Sequence, residues 1–382
     1  MLTSLKPDLL PFEDLARSFA AKELAKKVEE HDRYPFGEFF TSVLDKAYEV
    51  GFLGVLLPEE LGGIGGGIGT LCVILQNICQ TDASLGGIIF TNALAQEIML
   101  CAGAEKLPGT IFHKAASAGE FLVAFPVFVN PAQVSTLPRA AKSGKEYVLT
   151  GTIEFLVLGG LASRAIIPAR IHAGSAYSLF LVDLADKGIV KSNPIFSLGL
   201  HACPGVDISL KGVKAKLIGE EGKGRAYFEK ASRLMHAAAG AMNAGIMRGS
   251  FNEAMAYAKE RFQGGCEIIN WSEVSMLLAG MAIKVNVAEM CVAQSCQAID
   301  LGGEDWGPSV TAAAIHIHEL ACEAVTDGIQ VLGGNGYMKD YGQEKRYRDA
   351  RQVQALLGIA PLKKIGIIRQ IAGLEDTCAA TF

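Results

Sequence analysis

"QVLGGNGYMKDYGQEKRYRDARQVQALLGIAPLKK", residues Gln330 to Lys364, places a glycine turn, a charge-dense segment and an uncharged run one after another. By itself the glycine-rich part reads as a helix C-terminus that turns the chain, since glycine adopts a left-handed backbone without a β-carbon penalty. From Tyr347 to Arg351 charge is dense, and from Gln352 to Leu362 no side chain ionises. The ionisable group missing from that run is the feature to be explained.

On the N-terminal side of this stretch the sequence is helical. "SRLMHAAAGAMNAGIMRGSFNEAMAYAKERFQ" (Ser232 to Gln263) carries Ala and Gly at close spacing, which lets helices approach tightly in a bundle. Two more helices are expected, Ser272 to Ala298 and Pro308 to Val331. From Gly119 to the "GEEGKG" turn at Gly219–Gly224 the pattern is instead that of strands and turns: "FLVAFPVFV", "EYVLTG", "RAIIPARI", "YSLFLVDL" and "VDISLKGVKAK". Before Ser117 helical periods return, punctuated by glycine. The first of them is amphipathic, with Phe12, Leu15, Phe19 and Leu24 on one side. The expected architecture is a helical domain over residues 1–118, a β-domain over 119–225 and a helical bundle over 226–382. The glycines of "LLPEELGGIGGGIGT" (Leu56 to Thr70) have the spacing of a dinucleotide fingerprint but no βαβ context, so they read as a loop between helices.

The chain has 382 residues, with 35 Lys+Arg against 40 Asp+Glu and no basic run. Such a balance provides no electrostatic footprint for nucleic acid or anionic lipid. The N-terminus lacks the basic start and apolar centre of a secretory signal. "LGGIIFTNALA" (Leu85 to Ala95) reads as too short and too broken by glycine to cross a bilayer, so no membrane partner is expected. Nine scattered cysteines without a CxxC pair suit the reducing cytoplasm. The "HIHE" at His316 to Glu319 is not read as a metal site, because positions i and i+2 of a helix face different ways.

"QVLGGNGYMKDY" (Gln330 to Tyr341) with "RYRDAR" (Arg346 to Arg351), "ERFQGG" (Glu260 to Gly265), "LTGTIEFLVLGGLA" (Leu149 to Ala162) and "LLPEELGG" (Leu56 to Gly63) together closely resemble the acyl-CoA dehydrogenase family. The resemblance spans nearly the whole chain, in the family's order. It implies a mainly α fold with a central, β-barrel-like domain between an N-terminal helical domain and a C-terminal bundle through which subunits assemble. It also implies FAD as hydride acceptor, an acyl-CoA substrate and an electron-transferring flavoprotein as acceptor. Removing the α-proton of a thioester needs a positioned base, with donors at the thioester oxygen.

The residues that carry this chemistry in the family are replaced here. Where most members read Tyr-Glu-Gly-Thr, with Glu as base and Thr near the flavin, this chain has Leu356, Leu357, Gly358 and Ile359. The alternative base position, ahead of a helix arginine, falls at Ser232 before Arg233. Arg233 is the candidate substrate contact by family position. The family's Thr-Glu-Pro becomes Ala124, Phe125 and Pro126, and its Trp-Ile-Thr-Asn becomes Phe155 to Leu158. Each flavin hydrogen bond lost is worth about 1 kcal/mol net.

The residues that reach a neighbouring subunit's FAD in that family are kept: Arg261, Gln263, Gln330, Gly333 and Gly334. Arginine can pair with a pyrophosphate, and glycines let backbone amides come close. The pattern implies a non-catalytic subunit of a heterotetrameric acyl-CoA dehydrogenase, sharing FAD held mainly by a catalytic paralogue. The alternative is a self-sufficient flavoenzyme with a relocated base, for which Glu229, Glu267 and Glu319 are available.

Overall fold

The computed structural model describes residues 7–33, 41–104, 106–144, 146–174, 176–303 and 306–374. The N-terminal part holds α1 (Leu10–Phe19), α2 (Val28–His31), α3 (Thr41–Glu49), α4 (Ile68–Cys79), α5 (Ala83–Cys101), α6 (Lys106–Phe112) and α7 (Ala118–Phe121). The amphipathic reading of α1 is corrected at one position. Ala16 and Phe19 are buried while Leu15 is exposed: the buried stripe runs through Phe12, Ala16 and Phe19, four and then three residues apart, and Leu15 stands at its margin. The stretch read as too short for a bilayer lies in α5, a helix of 19 residues that is long and apolar enough by composition. It is largely buried within the fold.

The middle part contains β1 (Val123–Ala124), β2 (Arg139–Ser143), β3 (Glu146–Val157), β4 (Arg164–Ala169), β5 (Ser178–Asp183), β6 (Ile189–Lys191) and β7 (Gly205–Ile218). They form one sheet in the order β1-β4-β5-β7-β3-β2, with β6 added beside β7. Pairing is antiparallel except between β1 and β4. The two ends of this order meet, through a bridge from Phe125 to Val157 and another from Arg139 to Arg170. The sheet therefore curls towards a barrel. Of "FLVAFPVFV" only Val123 and Ala124 are strand, since Pro126 cannot donate to a ladder. Strands β2 and β6 were not anticipated, being short and mostly exposed.

The C-terminal part packs α8 (Gly224–Glu260), α9 (Ser272–Leu301) and α10 (Trp306–Leu332), followed by α11 (Gln343–Val353) and α12 (Ala360–Ile371). A hairpin of β8 (Phe262–Gln263) and β9 (Cys266–Glu267) joins α8 to α9. Small residues bring α8 against α4: a β-carbon at Gly245 would stand 2.4 Å from the Gln76 carbonyl oxygen. The main core runs from the N-terminal helices through the sheet into the bundle, and a second, smaller one lies at the end of α8 and α10. Helix α9 is also long and apolar enough to span a membrane by composition, and most of it is exposed.

Candidate functional site

The charged segment is a clamp. Lys345, buried on α11, donates to Asp349 at 2.6 Å and to Asp82 at 3.1 Å. Burial acts to lower its pKa, but the two carboxylates outweigh burial and raise it. Asp349 also accepts from the Leu200 backbone N–H at 2.7 Å. Arg348 pairs with Asp32 and with Glu344. Burial acts to raise the Asp32 pKa, yet hydrogen bonds from His201 and Arg348 hold it far below the usual carboxylate range. Side chains of "RYRDAR" thus tie the N-terminal helices, the loop before β7 and the bundle together. They fix where the uncharged run begins.

That run closes an apolar pocket. Leu356 and Leu357 are buried, and Leu357 has φ +60°. Gly358 follows at φ +109°, and the Phe128 ring lies directly over it. Phe128 and Phe125 both pack on Phe228 of α8, with ring centroids 6.4 and 6.0 Å apart. Ala124, Phe125, Leu156, Val157 and Leu158 are buried around them, while Ile359 is half exposed. Val127, Phe155 and Leu158 are left-handed too, with φ of 49°, 54° and 64°. Such a backbone costs roughly 1–3 kcal/mol per residue and persists only where the surroundings impose it. The loops hold an unusual shape although their side chains are apolar. A flavin ring does not fit this half: the Phe128 ring covers Gly358, and none of these side chains donates a hydrogen bond.

Ser232 lies on α8 one turn beyond Phe228, on the same face, and is buried with its hydroxyl unpartnered among protein atoms. Arg233 points elsewhere: its Cδ stands 3.6 Å from the β-carbon position of Gly307, at the start of α10. The structure thus does not bring Arg233 to Ser232's face. The sequence reading missed His236, one further turn along the Ser232 face, and its companions. His236, His318 and Asn243 are buried in the bundle, with Lys363 beside them. Burial, then Lys363, pushes His236 down to about 3. The same two causes, then His236, depress His318. Burial alone pushes Lys363 down to about 8. The Lys363 ammonium donates to the Leu356 carbonyl at 2.6 Å and to that of Gln354 at 3.2 Å, so it holds the backbone beside Leu357. The four-residue step from Ser232 to His236 in an Ala-rich helix was the available signal.

Arg261, Gln263, Gln330, Gly333 and Gly334 gather at the far end of the bundle, and all five are exposed. Arg261 follows the last turn of α8, its N–H bonded to Tyr257. The Tyr257 hydroxyl accepts from Asn335 Nδ2 at 3.0 Å, which ties the α8 end to the turn after α10. Ala258, Ile268, Val331 and Leu332 make the small core beneath. A β-carbon at Gly333 or Gly334 would meet nothing within 4 Å. Open glycine backbone beside an arginine fork fits a phosphate-bearing ligand presented from outside.

The candidate substitute bases lie elsewhere. Glu229 pairs with Arg225 and Glu319 with Lys364 on the surface, and Glu267 accepts from Asn270. His316 is exposed and His318 buried, on different faces of α10, and no metal-ligand cluster occurs among the described residues. A groove of about 370 Å³ runs along β3, β6 and β7, lined by Glu154, Lys191 and Asp207, away from Leu357. All eight described cysteines are free.

Comparison with known proteins gives one answer. The acyl-CoA dehydrogenase N-terminal domain matches residues 7–119 and the C-terminal domain residues 222–370. The caffeyl-CoA reductase-Etf complex subunit CarC of Acetobacterium woodii is 27% identical over 364 residues, 92% of this chain and 95% of that protein. The 3-(aryl)acrylate reductase of Clostridium sporogenes is 28% identical, with the same shares covered. Butyryl-CoA dehydrogenase from Megasphaera elsdenii has the same fold, with a TM-score of 0.88 at 21% identity over 97% of this chain and all of that one.

Proposed function

This chain belongs to the acyl-CoA dehydrogenase family, and we propose that it is the non-catalytic subunit of a heteromeric, FAD-dependent acyl-CoA dehydrogenase. The observation that carries this reading is the contrast between two places in the C-terminal half of the chain. The pocket at Leu357 is filled with apolar side chains, while Arg261, Gln263, Gln330 and the Gly333–Gly334 turn stand open to an outside ligand.

In this reading a catalytic paralogue holds most of the FAD and supplies the base. FAD supplies the hydride acceptor for an acyl-CoA substrate. This chain contributes the Arg261 guanidinium, an amide from Gln263 or Gln330, and backbone amides at the glycine turn. Leucine at 357 can take no proton, so the thioester's α-proton is removed in the partner. The complex is a heterotetramer in the cytoplasm that passes electrons to an electron-transferring flavoprotein. That last assignment is supported by the relative that is a subunit of an Etf complex.

Expressed alone, the chain should be colourless and inactive. Co-expressed with its paralogue it should give a yellow, active complex, and Arg261→Ala should weaken FAD retention there. A flavin-replete, active homo-oligomer would overturn the reading in favour of a self-sufficient enzyme.

A further inference from the structure

Helix α9 turns an apolar stripe outwards. Met276, Ile283 and Met290 are 74, 64 and 54% exposed and follow one another at intervals of seven, and Leu301 at 77% closes the row. Steps of seven residues keep nearly one line on a helix, so these side chains run along almost the whole of α9. The small Ala279 and Gly280 lie beside them, and a β-carbon at 280 would meet nothing within 4 Å. From Val274 to Ile299 the helix carries two charged side chains, Lys284 and Glu289. Both are answered within the chain and on opposite flanks: Lys284 donates to Asp327 of α10 at 2.7 Å, and Arg248 of α8 donates to Glu289 at 2.9 Å. An apolar stripe with a neutralised polar rim has the form of a protein contact.

The stripe matches itself. If two copies of α9 lie antiparallel about a two-fold axis beside the helix midpoint, Ile283 meets the second copy's Met290 and Met276 meets its Gln297. Asn286, half-buried at that midpoint, then meets its own counterpart. Its Nδ2 donates to the Ala282 carbonyl at 2.8 Å, which leaves a second N–H and the carbonyl oxygen for a partner, and a second amide offers both groups. Sliding the copies by seven residues towards their N-termini sets Asn286 against Gly280 and leaves the amide unanswered. Sliding them the other way leaves Met276 uncovered. A lipid bilayer offers Asn286 no partner at all. A helix of 30 residues is about 45 Å long with a face roughly 11 Å wide, so two copies remove about 1,000 Å² from water, the size at which a specific interface begins.

We propose that α9 docks on α9 of a second copy of this chain, antiparallel, with the two-fold axis beside Asn286. In a heterotetramer this junction joins two copies of this chain, each with its Arg261 end turned to a paralogue. That consequence rests on the proposed subunit role; the α9 pair does not.

The purified full-length chain, alone and with its thiols reduced, should sediment with the mass of two chains. Ile283→Glu changes an exposed side chain and leaves the core intact, and it should sediment as one chain. Phe262→Glu, equally exposed but on the hairpin after α8, should remain a dimer. Asn286→Cys should link two chains on mild oxidation with copper–phenanthroline, well above the background from the native cysteines. Met276→Cys should stay at that background, since its counterpart lies about 30 Å further along the paired helices. A monomeric wild type, a dimer that survives Ile283→Glu, or equal linking in the two cysteine variants would overturn the assignment. Flotation of the wild type, but not of Ile283→Glu, with phosphatidylcholine vesicles would overturn it too, by giving the face to lipid. Neither flavin nor paralogue takes part, so failure here is distinguishable from failure of the subunit role.

Discussion

The Phe128 ring covers Gly358, with Cε2 2.9 Å from the point where a β-carbon at residue 358 would stand. Gly358 also has φ +109°, a region that side chains rarely adopt. In the proposed reading, this pair closes the pocket where a catalytic subunit would have its base. Gly358→Ala should therefore cost about 1–3 kcal/mol from backbone strain and overpacking. Adding Phe128→Ala should recover part of that loss in a double-mutant cycle followed by urea unfolding. Simple additivity would show that the ring does not press on residue 358.

Leu357→Glu would supply a carboxylate where the proposed reading has the base missing, and nothing else. Ala124, Phe125 and Val157 remain apolar around it, and the new carboxylate enters a position that is 5% exposed. We expect a destabilised chain that carries no flavin and dehydrogenates no acyl-CoA. Acyl-CoA-dependent dye reduction by this single variant would show that the loops suffice for flavin binding.

Val127 and Val129 are equally buried, at 8% and 7% exposure, but only Val127 has a left-handed backbone. A β-branched residue there is strained, and glycine is not. Val127→Gly should thus cost about 1–3 kcal/mol less than Val129→Gly in chemical denaturation. Equal losses would contradict the strain at Val127.

Acid should destabilise the bundle through its buried histidines. His236 and His318 titrate below their ordinary value of 6.5 in the folded chain, His236 at about 3. Above pH 6.5 neither form binds the proton and these groups have no effect. Below it the unfolded chain takes up protons that the folded chain refuses, so stability falls as pH drops, by up to about 1.4 kcal/mol per pH unit for each histidine. His201 works on the other side: raised by Asp32 against burial, its contribution is complete below 6.5 and lost as pH rises through its folded value. Unfolding measured between pH 7 and 5 should show a shallower acid limb for His236→Asn. An unchanged limb would remove His236 from the account.

The sequence by itself determined the fold, the family and the absence of a carboxylate at residue 357. Motif identity, glycine punctuation and the change from strand-like to helical pattern are local properties, readable along the chain. It also named Arg261, Gln263 and the Gly333–Gly334 turn, all of which are exposed in the fold. Only the tertiary structure decided that Phe125, Phe128 and Phe228 fill the pocket, that Arg233 turns to Gly307 instead of Ser232's face, and that Leu15 is exposed. It alone joined His236, His318 and Lys363, which lie on three helices. Such contacts depend on which helix faces meet and how loops bend, and no spacing within a single segment encodes that meeting.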